Sequence, residues 1–191
     1  MRSRFVTNLL ALVVIGAGFF GITAVLNLIG AKEELKKHEF SYLKRTADQH
    51  WQDKNWKEAA RYYKELADSD ELNSGAQLAY AWNLSQQITS AIRKARHEEL
   101  AELPESAKEL IREAVTAYRE TIHSTQFRNI SRVQLGWLHG LLGQNEQAIP
   151  YIVAAIEDGY QVKNLRNDFS HRSLMDDPRV QEAVRKASGI Q

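Results

Sequence analysis

Residues Phe5–Ile29 read FVTNLLALVVIGAGFFGITAVLNLI, a run of 25 residues without a charge. No other feature limits what this chain can fold into as strongly. As a helix rising about 1.5 Å per residue, the run spans about 37 Å, enough to cross a hydrocarbon core of about 30 Å with some tilt. Asn8 and Asn27 fall near its ends, where headgroups solvate them. A cleaved secretory signal needs an apolar core of only about 7–15 residues and a small-x-small cleavage site; this run is longer and closes on Leu28-Ile29-Gly30-Ala31-Lys32. A segment apolar on every side also lacks the polar face of a surface helix. The sequence therefore predicts an uncleaved single-pass anchor over residues 1–30, in lipid bilayer of a bacterial inner membrane. Ala17, Gly21 and Ala24 recur on one face, where small side chains let a second helix approach.

The flanking charges pull in two directions. Arg2 and Arg4 precede the run, while Lys32, Lys36, Lys37, Lys44 and Arg45 follow it, which favours a cytoplasmic domain if Lys and Arg alone are counted. Glu33 and Glu34 sit among those lysines, and a short basic N-tail commonly stays inside. The adopted expectation is N-in, with the domain on the periplasmic side.

The remainder is an ordinary charged sequence. Lys and Arg total 25 against 24 Asp and Glu, a net charge of +1, so no basic excess argues for nucleic acid. The absence of cysteine removes disulfides, thiolate metal sites, cysteine nucleophiles and lipoprotein acylation. From Ala31 onward apolar residues recur at helical spacing, with few strand-like alternations. Only Pro104, Pro150 and Pro178 interrupt it.

Self-similarity then organises the chain. Segment 40–73 places Ala47 in a first helix and Ala59 twelve residues later; segment 129–162 repeats this with Gly136 and Ala148. Four residues after the second small residue comes Tyr63 or Ile152, and three further on Leu66 or Ala155. Antiparallel helices approach closely only where side chains are small, and the large residues one turn on fill the space towards the next pair. A single pair cannot bury its apolar face alone, so such pairs stack. A middle segment, 74–128, has Ala81 in its first helix and Ala114 and Tyr118 in its second, with an insertion of 21 residues, 89–109, rich in Lys, Arg and Glu. That insertion is expected to lengthen the first helix, break near Leu103 and restart with Pro104 in the first turn.

This pattern resembles the tetratricopeptide repeat family, best in Leu135-Gly136, Ala148, Ile152 and Ala155. The first repeat departs from it, with Leu43 where tryptophan is usual and Glu71 where proline is common. The segment after Gly159 resembles the C-terminal cap of many bacterial tetratricopeptide proteins, with Asp177 capping a last helix, Pro178 in its first position and a stripe of Val180, Ala183, Val184 and Ala187. The resemblance implies an all-α chain: one N-terminal transmembrane helix, a linker over 31–39, an α-solenoid of about three helix pairs over 40–162, and a capping helix over 163–191.

No catalytic or cofactor motif appears, and no cofactor, metal or enzymatic activity is expected. The six histidines form no close metal pair; His97-Glu98-Glu99 reads as a solvated face, and Asp168, Ser170 and His171 as turn and cap residues. In tetratricopeptide arrays the first helices line a binding groove. By that register the groove residues are Lys44, Asp48, Trp51, Trp82, Gln86 and Trp137, with Gln52, Leu78, Ser85, Val133, Gly140 and Leu141 beside them. Aromatic anchors in a groove are typical interface hot spots. The expected function is a membrane-anchored interaction module, an accessory or scaffolding subunit whose partner is another protein in an integral membrane complex. The alternative is an anchored periplasmic chaperone or assembly factor for envelope proteins. Membrane packing through Ala17, Gly21 and Ala24 would supply lateral contacts.

Overall fold

The computed structural model describes residues 32–69, 73–98, 102–166 and 172–189. Every regular element among them is helical. No helix among the described residues is long and apolar enough to cross a membrane. This corrects two expectations: the transmembrane helix in the architecture and the single-pass inner-membrane localisation with a periplasmic domain are both unsupported. The reason is visible in the helices themselves. Even the longest, at 24 residues, carries Arg93, Lys94 and Arg96 in its last turns and polar Asn83, Ser85, Gln86 and Gln87 in its middle. The run Phe5–Ile29 and its face Ala17, Gly21 and Ala24 lie outside the described residues.

The chain divides after Tyr42. In the first unit, residues 32–42 are helical, with Phe40 partly covered and the side chains before it exposed. The expected linker is therefore helix over 32–39. Nothing in KEELKKHE breaks a helix, and Glu33 stands four residues before Lys37, a favourable spacing.

The second unit begins at Leu43. In it helix α1, over 43–52, is followed by α2 (Trp56–Ser69), α3 (Ser74–His97), α4 (Glu105–Thr121), α5 (Arg128–Leu141) and α6 (Asn145–Glu157). From α2 onward, each of these helices packs on the next. The small positions lie where helices meet: Ala47, Ala81, Ala59, Ala114 and Ala148 have no exposed surface, and Gly136 is buried. Gly136 marks the tightest approach, because a Cβ there would lie 2.5 Å from Ile152 Cδ1. Tyr118 fills the centre of the middle pair. Its hydroxyl meets Ser85 Oγ at 3.2 Å, and its ring packs among Ala81, Leu84, Ile88 and Ile111. Thr121 and Ser131 share a buried 2.7 Å hydrogen bond between α4 and α5.

The first and last pairs are closed in the same way. At the α1–α2 turn the Asn55 amide donates to the His50 carbonyl at 2.9 Å; at the α5–α6 turn Gln144 donates to His139, also at 2.9 Å. Across each turn the histidine stacks on a tyrosine of the second helix, His50 on Tyr62 at 5.5 Å and His139 on Tyr151 at 5.8 Å. The turns need a left-handed residue, and they differ in how they supply it: Gly143 has φ 69°, Lys54 has φ 58°. A lysine pays a steric penalty there that glycine does not. Lys54→Gly should therefore raise stability by about 0.5–1 kcal/mol, read as a higher urea midpoint at unchanged slope.

The middle pair carries the insertion. Helix α3 runs on to His97, and α4 starts after Pro104, whose ψ of 147° is extended, so the proline precedes the first turn instead of lying within it. The insertion is not merely a solvated face. Ala95 and Ala107 are buried, and Ile92 and Leu103 pack against the core.

After Gly159 the described residues hold three short helices, α7 (Val162–Arg166), α8 (Arg172–Met175) and α9 (Pro178–Ala187), and the last opens as expected, with Asp177 as its N-cap and Pro178 in its first turn. The break before α9 follows from Asp177, extended at φ −67° and ψ 133°, and from Pro178 behind it. Asp177 accepts from the Arg179 amide at 2.9 Å, and Arg179 reaches back to Glu146 of α6. Val180, Ala183 and Val184 are buried with Ile149, Ile152 and Ile156, whereas Ala187 is exposed.

Candidate functional site

A pocket of about 420 Å³ opens among α1, α2 and α3. Asp48, Trp51 and Gln52 come from the end of α1, Tyr63 from α2, and Gly75, Leu78, Ala79, Trp82 and Asn83 from α3. Helical spacing explains the set. Asp48 and Gln52 are one turn apart on α1, as are Ala79 and Asn83, and Leu78 and Trp82, on α3. Asn73 fixes the start of α3 by accepting from the Ala76 amide at 3.0 Å.

Asp48 is the polar centre. It takes a 2.6 Å hydrogen bond from Lys44 and another, also 2.6 Å, from the Tyr63 hydroxyl. Burial alone would raise its carboxyl; the hydrogen bonds from Lys44 and Tyr63 outweigh that and hold it below the usual carboxylate range. Burial, then the Asp48 carboxylate, push the Tyr63 phenol well up, so it keeps its proton. Asn83 is fully buried. Its amide nitrogen donates to the Ala79 carbonyl at 2.7 Å, and its Oδ1 has no hydrogen-bond partner among the described residues.

Of the six groove residues expected from the register, the pocket brings together Asp48, Trp51 and Trp82, with Lys44 attached through its ion pair to Asp48. Trp51 is 46% exposed. Gln86 is half-buried one turn beyond Trp82 and does not line the pocket. Trp137 stands apart: it is only 9% exposed and belongs to the core with Leu135 and Leu138. On the same helix Leu174 of α8 closes over Gly140, within 3.3 Å of where a Cβ would stand. The chain's own C-terminal segment thus reaches α5 at Gly140.

Sequence reading missed Tyr63 and Asn83 as pocket residues. A signal for Asn83 existed, since it occupies the repeat position held by Leu138 in the last pair, a polar residue where burial calls for an apolar one. Among the described residues no group of three or more His, Asp and Glu could hold a metal ion. His97 is exposed, and Asp168, Ser170 and His171 lie outside the described residues. What the pocket offers chemically is two indole rings, a carboxylate held ionised and an amide oxygen without a partner. Comparison with family models, curated proteins and solved structures finds no match for this chain.

Proposed function

We propose that this chain is a protein–protein interaction module that seats a segment of a partner in the α1–α3 pocket. The observation that carries the proposal is the convergence of Trp51 and Trp82, from two different helix pairs, on one open cavity beside Asp48. Large aromatic side chains in a pocket that water leaves on binding supply most of the energy of typical interfaces. The spacing of small residues in the helix pairs supports the further reading of a tetratricopeptide-like solenoid of three pairs with a C-terminal cap, working as an accessory or scaffolding subunit of a larger assembly.

The test is partner capture by the full chain. Trp82→Ala should weaken capture about thirtyfold, a hot-spot loss of about 2 kcal/mol, with helical content unchanged. Thr116→Ala, an exposed position on α4, is the control and should change nothing. Capture equal in the two variants would sink the proposal. One partner at fixed stoichiometry fits the subunit reading, whereas many substoichiometric clients would point to a chaperone or assembly factor.

A further inference from the structure

We infer that the α1–α3 pocket is an arginine site, taking the guanidinium of an arginine side chain presented by the partner protein. The inference rests on the docking reading above and deepens it. Hydrogen-bonding capacity comes first. The Tyr63 hydroxyl spends its only proton on Asp48 and so offers a ligand lone pairs alone, while one of the two Asn83 amide N–H groups is engaged by the Ala79 carbonyl. Among the described residues no donor reaches the Oδ1 of Asn83, a residue of the pocket wall. A buried acceptor left unpaired lowers stability until something supplies an N–H.

Charge gives the sign. Asp48 is ionised, and its side chain retains 40% of its exposure, so it is reachable from solvent. Lys44 holds it in the free protein, but an exposed pair between residues one turn apart contributes little and yields readily to a better donor. An anionic ligand would meet the carboxylate and find no cation lining the pocket among the described residues. The aromatic content then selects among cations. A guanidinium lies flat on an indole face and keeps its N–H groups free at the edge, so it can stack on Trp51 or Trp82 while donating two parallel bonds to Asp48. An ammonium is a hydrated point charge, with neither a plane to stack on an indole nor a fork for two parallel bonds. The volume, about 420 Å³, lies in the range of small-ligand sites.

The experiment is calorimetric titration of the full chain with two neutral-ended peptides, acetyl-Leu-Arg-Leu-amide and acetyl-Leu-Leu-Leu-amide. The arginine peptide should bind at least about tenfold tighter, with a preference that shrinks as salt rises. Asp48→Asn should remove most of that preference while still accepting from Tyr63. Lys44→Ala should tighten the arginine peptide about twofold, because the competitor for Asp48 is gone. Asn83→Leu should weaken the arginine peptide yet raise the unfolding temperature, a pairing that a purely structural role for Asn83 would not produce. Equal binding of the two peptides, or a preference that survives Asp48→Asn, would overturn the arginine site and leave the docking reading standing. Self-association of the free chain that Asp48→Asn abolishes would assign the pocket to a second copy and likewise overturn the proposal. The docking reading fails separately, on capture that Trp82→Ala leaves intact.

Discussion

Tyr118→Ala should lower the stability of the fold by about 3–5 kcal/mol, enough to unfold much of a marginally stable domain. Tyr118 is the largest of the side chains with essentially no exposure, and it sits where α3 and α4 meet α5. Its removal leaves a void in the cluster that holds Leu84, Ile88, Ile111 and Leu138, whose backbones are held by long helices and collapse little. The Ser85 hydroxyl loses its partner in the same step. Tyr118→Phe separates the two contributions, since it keeps the ring and loses only that hydrogen bond, at about 1 kcal/mol. Tyr63 stands at the corresponding place in the first pair but is half-exposed beside the pocket, so Tyr63→Ala should cost clearly less. Urea unfolding followed by circular dichroism gives all three values. A loss below about 1 kcal/mol for Tyr118→Ala would mean that the middle pair is not packed as described.

Gly136→Val should destabilise by about 3 kcal/mol, at the upper end of overpacking effects. The first added carbon already falls 2.5 and 2.6 Å from two carbons of Ile152, and 3.4 Å from the Ala148 carbonyl oxygen. Ile152 has no exposed surface and nowhere to turn, so α5 and α6 must separate. Glycine in a helix interior is itself unfavourable by about 0.5–1 kcal/mol relative to alanine, which sets a sign question for the smaller change. Gly136→Ala gains that propensity and suffers the clash, so its net loss should be about 1–2 kcal/mol. Ile152→Val, which removes the clashing terminal methyl, should restore part of it. Strict additivity of Gly136→Ala and Ile152→Val would contradict the contact, because touching residues couple.

The alternation of small and large residues made much of the helical packing legible before any coordinates. Ala47, Ala81, Gly136 and their partners on the second helices announce close approach through size alone. The pocket was half legible. Register put Asp48, Trp51 and Trp82 on related faces, but it treated Trp137 as their equal. Nothing in local spacing tells that Leu174 returns to cover Gly140, since that contact joins distant parts of the chain. Asn83 and Tyr63 were hidden for a related reason: a buried polar group shows its role only once its partners, or the lack of them, are located. The anchor expectation rested on hydropathy alone, and no described helix supplies a span. The linker expected over 31–39 is helix from residue 32, in keeping with a composition that favours helix.

The two histidine–tyrosine stacks carry a kinetic consequence. Each joins rings on either side of one short turn, His50 with Tyr62 and His139 with Tyr151, so little loop entropy opposes its closure. In the middle pair the connection from His97 to Glu105 is longer, and the side-chain hydrogen bonds that join α3 to α4, Ser85 with Tyr118 and Tyr80 with Glu113, each close 33 residues of chain. Contacts of low sequence separation form first. Folding should therefore start at the two outer pairs and finish between them, with pulse-labelled amides of α1–α2 and α5–α6 protected before those of α3–α4. On that order the pocket, which needs α3 in place against α1, is the last part of the surface to be completed, and a nascent chain stays unable to hold a partner until its centre has closed.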